Sequence, residues 1–77
     1  MAADVIHLDA RGLEPPQPMI RIVEALEALP AGAELHARTD RNPVHLHPFL
    51  AERGFLGNST AAPDHEYGFL TIIRRAG

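Results

Sequence analysis

Two histidines separated by a single residue are the side chains in this sequence most suited to holding a metal ion. They are His45 and His47, and they follow Asn42-Pro43, a dipeptide typical of a helix start with Asn42 as a candidate cap. Residues two apart do not share a face of a helix, although they can converge in an irregular turn. Structural zinc almost always takes four protein ligands. The sequence has no cysteine, and the nearest carboxylate is Asp40. We expect no bound metal, and the competing interpretations are solvent-facing turn histidines and a contact to a partner or ligand.

Asp40 is the acidic residue best placed to contact a ligand, because it ends a predicted strand. Ligands of α/β proteins usually bind beyond the carboxyl ends of the strands. The competing role is structural, since aspartate often caps the turn that follows it. The sequence otherwise has no serine–histidine–acid order, no carboxylate pair and no glycine-rich phosphate loop. We therefore predict no catalytic residue and no cofactor.

Composition limits the class of protein. The chain has 77 residues, of which 45% are hydrophobic, so we expect one domain over residues 1–77. The net charge is −3 and all seven basic residues are arginines, whereas nucleic-acid binders usually carry a basic excess. No apolar run approaches the roughly 20 residues of a membrane span, and the N-terminus does not resemble a signal peptide. With no cysteine to suggest an oxidising compartment, we predict a cytoplasmic protein that binds neither nucleic acid nor membrane.

The hydrophobic pattern predicts four strands and two helices in the order β-α-β-α-β-β. Alternation of apolar residues predicts strands near 4–10, 33–39, 55–61 and 66–75, with Ile6 and Leu8 facing inward. Apolar spacings of three and four predict helices near 16–29 and 44–53. In the second helix Pro48 favours a regular start near itself, after an irregular turn over 43–47. The residues expected in the core are Met19, Ile22, Val23, Leu26, Leu35, Phe49, Leu50, Phe69 and Ile73.

Two helices can cover only one side of such a sheet. The predicted fold class is therefore a two-layer α/β sandwich, with both helices on one face of a four-stranded mixed sheet. The last strand is apolar on both faces, which suggests a central position or a partly covered outer face.

Prolines dominate the connection between the first strand and the first helix. They are Pro15, Pro16 and Pro18, and each has a restricted φ and no backbone N–H. Proline is well tolerated in the first turn of a helix, where N–H groups lack intrahelical acceptors. We expect this rigid corner to present its remaining N–H groups, and the positive end of the helix dipole, to whatever docks there.

The chain resembles the TusA/SirA-like family of small bacterial βαβαββ proteins. The resemblance spans nearly the whole chain and implies a sheet order of 1-2-4-3 with an antiparallel fourth strand. It also implies sulfur relay by a cysteine just before Pro16. The matching segments are Leu8-Asp9-Ala10-Arg11-Gly12-Leu13, Pro16-x-Pro18, Pro30-x-Gly32, Asp40, Pro48 and Ile73-Arg74-Arg75.

The position of that cysteine is occupied here by Pro15, which has no nucleophile. The sulfur relay therefore does not carry over, and the resemblance is to a cysteine-less branch with the motif P-P-x-P. We predict a small non-catalytic binding or interaction module with a protein partner. The alternative is an accessory component of a sulfur-transfer, metal or redox pathway.

Two surfaces are candidates for that interaction. The first is the corner where both helix starts meet, favoured for a ligand or partner; its candidate residues are Arg11, Glu14, Pro15, Pro16, Pro18, Asp40, His45 and His47. The second is the open sheet face, favoured for a weak homodimer because exposed apolar patches often mark interaction sites. Its residues are Val5, His7, His36, Arg38, Leu70 and Ile72.

Overall fold

The structure is a computed structural model that describes residues 4–62 and 68–76. The elements follow the predicted βαβαββ order: β1 (Val5–Asp9), α1 (Gln17–Glu27), β2 (Glu34–Thr39), α2 (Leu46–Glu52), β3 (Phe55–Ala61) and β4 (Phe69–Arg75). The sheet order is β1-β2-β4-β3, with β1 parallel to β2 and β4 antiparallel to both of its neighbours. The predicted fold class is confirmed, as is the sheet order that the resemblance implied. In the described residues, neither helix is long and apolar enough to cross a membrane.

Strand β4 lies between β2 and β3, so its predicted central position is confirmed. Its described part begins at Phe69. The predicted start of this strand at Glu66 and Tyr67, and the predicted turn at 63–65, lie outside the described residues.

Helix α1 begins one residue after the predicted start and ends two residues before the predicted end. Pro18 stands in its first turn, where the missing N–H has no intrahelical acceptor to lose. After the helix, Gly32 has a φ of +83°, the left-handed conformation that glycine adopts without strain. The predicted apolar stripe faces the core: Ile22, Leu26 and Leu29 are buried, and Met19 and Val23 are half-buried.

Helix α2 begins at Leu46, two residues before the expected start at Pro48. The proline is accommodated because it stands in the first turn, whose N–H groups lack acceptors within the helix. A short turn precedes the helix, in which the N–H of Leu46 donates to the carbonyl of Pro43 at 3.0 Å. The residue at the N-cap is His45, and no side chain caps the helix, so the prediction that Asn42 is the cap is wrong.

The core lies between the helices and one face of the sheet. Leu35, Ala37 and Ile73 on β2 and β4 are fully buried there, as is the hydroxyl-bearing Thr71. Leu50 of α2 is buried against the same face. Because β2 and β4 are the two central strands, their covered-face side chains have neighbours on every side.

Several residues expected in or near the core, Met19 and Val23 among them, are less buried than predicted. Ile6 points to the helix side but is 36% exposed, because β1 is an edge strand and α1 packs chiefly against β2. Phe49 is half-buried, with the guanidinium carbon of Arg53 4.6 Å from its ring centroid. Phe69 is also half-buried, at the start of β4.

Strand β3 carries glycine at the position where helix α2 lies closest above it. A side chain at Gly57 would run into Cδ1 of the buried Leu50, so glycine lets α2 approach the strand. At the start of the strand, Phe55 is buried beneath Arg75, whose guanidinium carbon lies 5.1 Å from the ring centroid. Arg75 also donates two hydrogen bonds, at 3.1 and 2.9 Å, to the carbonyl of Leu29. Arg75 therefore ties the end of β4 to the segment that follows α1.

Candidate functional site

A pocket of about 510 Å³ lies where the β1–α1 connection meets the β2–α2 connection. We call it the corner pocket. Its volume is within the range of about 300–1,000 Å³ typical of ligand sites. It lies beyond the carboxyl ends of the two parallel strands, β1 and β2, where ligands of α/β sheets commonly bind. It is lined by Leu13, Glu14, Pro15, Pro16, Pro18, Met19, Ile22, Thr39, Asp40, Arg41, Asn42, Pro43, Val44, His45 and Leu46.

Asp40 joins the two connections that form the pocket. Its Oδ2 accepts a hydrogen bond of 2.8 Å from the backbone N–H of Gly12, 28 residues away in the sequence. Gly12 has a φ of +80°, a conformation that glycine supplies without strain. Just before Asp40, the buried Thr39 donates from Oγ1 to the carbonyl of Arg41 at 2.8 Å. Asp40 thus holds together the two loops of the corner, a role different from the capping that the sequence suggested.

The prolines make the pocket rigid but leave it with few hydrogen-bond donors. Pro15, Pro16 and Pro18 have no N–H, and the N–H of Gln17 donates to the carbonyl of Glu14 at 2.8 Å. The N–H of Ile20 is likewise used, at 3.1 Å from the carbonyl of Pro16. Two of the N–H groups expected to face a docked group, those of Gln17 and Ile20, are thus bound within the first helix start. An anion at a helix start is usually held by several such groups, and the prolines and these two bonds reduce their number here.

The polar side chains of the pocket stand on its rim. Glu14, Asp40, Arg41 and His45 are all exposed, so water screens their charges. The rim combines carboxylates with a guanidinium and an imidazole and therefore has no strong field of one sign. Apolar side chains of Leu13, Met19, Ile22, Val44 and Leu46, with four prolines, form most of the interior.

Most of the predicted site residues come together at this pocket. Those that line it are Glu14, Pro15, Pro16, Pro18, Asp40 and His45. Arg11 and His47 do not line it, although they lie close to the same loops in the sequence. Whether the pocket binds a partner stays a prediction.

Arg11 is directed to the open sheet face. Its Nε and Nη2 donate to the two carboxylate oxygens of Asp9, at 2.9 and 2.8 Å, in a bidentate pair. These side-chain bonds, with the backbone N–H of Arg11, lower the pKa of Asp9 from 3.8 to about 2. Arg11 also lines a shallower depression of about 280 Å³ on that face. Its other lining residues are His7, Leu8, Asp9, His36 and Arg38.

The two histidines considered as metal ligands, His45 and His47, lie in different surroundings. His45 is exposed at the pocket rim, whereas Nε2 of His47 lies 3.1 Å from Oγ of Ser59 on β3. Ser59 in turn is hydrogen-bonded to Oγ1 of the buried Thr71, at 2.7 Å. Within residues 4–62 and 68–76, no three histidine, aspartate or glutamate side chains are grouped so as to hold a metal ion.

Sequence reasoning did not place Val44 or Met19 at the site. Val44 lies in the turn before α2, as predicted for residues 43–47, and it is 58% exposed and lines the pocket. Met19 and Ile22 were assigned to the core, and their side chains also form the pocket wall. The sequence feature that could have indicated Val44 is its place directly after Asn42-Pro43. The residues three and four positions further on, His47 and Pro48, are not apolar core residues, so Val44 is not part of a buried helical stripe.

The sequence profile of one protein family, described as "Uncharacterized conserved protein (DUF2249)", matches residues 7–74. Comparisons with curated proteins and with solved structures give no match. The matched segment begins in β1 and ends in β4, so it includes both connections that form the corner pocket. Because the profile covers most of the chain, the protein belongs to this family of uncharacterized conserved proteins.

Proposed function

We propose that this protein is a small, non-catalytic, cytoplasmic binding module whose corner pocket takes an apolar segment of a partner protein. The observation that carries the proposal is the pocket itself, an apolar concavity between two proline-rich helix starts. Burying apolar surface releases about 25 cal/mol per Å². An apolar segment therefore gains free energy in this pocket without needing a dense set of polar contacts.

The rigidity of the walls supports the proposal. Four prolines line the pocket, and the ring of each restricts the backbone φ. The hydrogen bond between Asp40 and Gly12 holds the two sides of the pocket at a defined distance. A surface that is already ordered loses little conformational entropy on binding, which leaves more of the contact energy as affinity.

The lack of donors supports an apolar occupant over an anionic one. A nucleotide or phosphate is usually bound by several backbone N–H groups at a helix start. Here proline removes them at three positions of the first helix start, and Gln17 uses its own within the turn.

The resemblance to the TusA/SirA-like family supports the same surface. Pro15 stands where that family carries its sulfur-carrying cysteine, and here it lines the corner pocket. In this proposal the chain keeps the docking corner and lacks the nucleophile. An accessory role in a sulfur-transfer, metal or redox pathway would then be one of docking, without a covalent step on this chain.

The test is affinity capture from the native cell extract with wild type and two matched variants. Val44→Glu places a charge in the pocket, where the valine is 58% exposed. Ile20→Glu places the same charge on α1 outside the pocket, where the isoleucine is 43% exposed. Neither side chain is buried, so both variants should keep the fold, which circular dichroism checks.

We expect a protein that wild type and Ile20→Glu both capture and Val44→Glu does not. Calorimetry with the purified partner should then show a Kd raised at least about tenfold by Val44→Glu, a loss of about 1.4 kcal/mol. Equal capture by all three proteins, or no protein enriched over Val44→Glu, would overturn the proposal.

A further inference from the structure

Strand β3 presents a row of outward-facing backbone groups at one edge of the sheet. The N–H of Ala62 donates to the carbonyl of Gly68, and that of Ala76 to the carbonyl of Gly54, at 2.9 and 2.8 Å. Both pairs lie in the β3–β4 register, in which even-numbered residues face even-numbered residues. Hydrogen-bonded and non-hydrogen-bonded pairs alternate in an antiparallel ladder. The odd-numbered residues of β3 therefore direct N–H and C=O away from β4; they are Phe55, Gly57, Ser59 and Ala61.

This edge lacks the features that usually protect an edge strand. Proteins block strand edges with charged side chains, proline or bulges. The β3 sequence, FLGNSTA, has seven residues with no charge and no proline. Strand β1 at the other edge is shorter, and it ends at Asp9, which is paired with Arg11. Across the described residues, no further strand lies outside β3.

We propose that β3 pairs antiparallel with β3 of a second copy of this chain, which joins two four-stranded sheets into one sheet of eight strands. One register brings all of the outward-facing residues into hydrogen-bonded pairs. It places Phe55 opposite Ala61 of the second copy and Gly57 opposite Ser59 of the second copy. Asn58 then lies on the two-fold axis, opposite its own equivalent, and the helices of both copies stay on one side of the sheet. This association is independent of the corner pocket.

Size and charge fit a second copy in this register. The largest side chain, Phe55, lies opposite the small Ala61, and Gly57 lies opposite Ser59, so no two large side chains meet on the helix side. On the open face Leu56 lies opposite Thr60 of the second copy. No charged residue of β3 meets its like across the axis, because the strand has none. Like charges directly opposite each other would destabilise such a pair.

Charge substitution at Asn58 tests the pairing. Asn58 is exposed and faces away from the helices, so Asn58→Lys and Asn58→Glu should fold normally. Each variant alone puts like charges directly opposite on the axis and should sediment as the 8.4 kDa monomer at concentrations where wild type sediments at twice that mass. An equimolar mixture puts opposite charges there and should recover the dimer. The matched control is His7, exposed in the middle of β1, where His7→Glu should leave the dimer unchanged.

Amide hydrogen exchange identifies the surface independently. In dilute protein the amides of Leu56, Asn58 and Thr60 should exchange slowly, because β4 binds them, and those of Gly57 and Ser59 should exchange fast. In concentrated protein the amides of Gly57 and Ser59 should slow at least about tenfold.

Three results would overturn the proposal. The first is a wild type that stays monomeric at millimolar concentration. The second is a dimer in which Gly57 and Ser59 still exchange fast, as pairing through the open sheet face would give. The third is a dimer that survives both Asn58 variants.

Discussion

The two faces of the sheet have similar sequences and opposite environments. Strand β4 alternates between them with apolar residues on both, Ile73 toward the helices and Ile72 away from them. Ile73 is fully buried, whereas Ile72 is 38% exposed. On neighbouring strands Leu35 is fully buried on the covered face, and Val5 is 42% exposed on the open one. The helices determine which face is the core, and the apolar content of the strands does not.

The side chains that stabilise the fold therefore lie on a different surface from the apolar side chains that are available for binding. The helices pack on the covered face, and most of the buried apolar side chains lie between the helices and this face. The open face and the corner pocket hold apolar side chains that folding leaves in contact with water. Such surface adds little to the stability of the isolated chain, and it remains available for a partner.

The largest change in the free energy of unfolding is expected when a side chain is removed from the core between the helices and the covered face. Leu26→Ala should lower the free energy of unfolding by about 2–5 kcal/mol, because Leu26 is 3% exposed and its removal leaves a cavity. Ile72→Ala on the open face is the control, with an expected loss of about 1 kcal/mol or less. Urea unfolding followed by circular dichroism measures both. Equal losses would contradict the division between the two faces.

An intermediate effect is expected where α2 approaches β3. Gly57→Ala should destabilise the fold by about 1–3 kcal/mol, since the added methyl group meets Cδ1 of the buried Leu50. The sign is informative, because alanine normally stabilises a strand interior relative to glycine by roughly 0.5–1 kcal/mol. Asn58→Ala, on the next residue and the other face, should change stability by no more than about 0.5 kcal/mol. A stabilised Gly57→Ala variant would show that α2 does not pack on the strand this closely.

The smallest effect on stability is expected from charges on the open face. Leu70→Glu with Ile72→Lys should retain the fold and change the free energy of unfolding by about 1 kcal/mol or less. Arg38 lies opposite position 70 and can pair with the new glutamate. If the open face forms a weak dimer, the same variant should sediment as monomer where wild type does not. An unfolded double variant, seen by circular dichroism, would contradict the exposure of this face.

Parts of the candidate site could be predicted, and parts could not. The prolines and Asp40 were identified because a strand end and a helix start are recognisable from local residue types. The different environments of His45 and His47 could not be identified in this way. They depend on Ser59, which hydrogen-bonds His47 and lies 12 residues further along the chain. The shortage of N–H donors could have been deduced from the prolines alone, because the absence of an N–H is a property of the residue itself.

The sequence by itself determined the order of strands and helices, the face that α1 buries, and the rigid proline corner. These are local properties, set by the repeat of apolar residues and by the restricted backbone of proline. Only the tertiary structure decided how far Ile6 and Phe49 are exposed. It also decided where α2 begins and that Asp40 accepts a hydrogen bond from Gly12. It also decided that Val44 and Met19 share a pocket. The physical reason is that exposure and pocket shape depend on neighbours brought from distant parts of the chain, which no local pattern records.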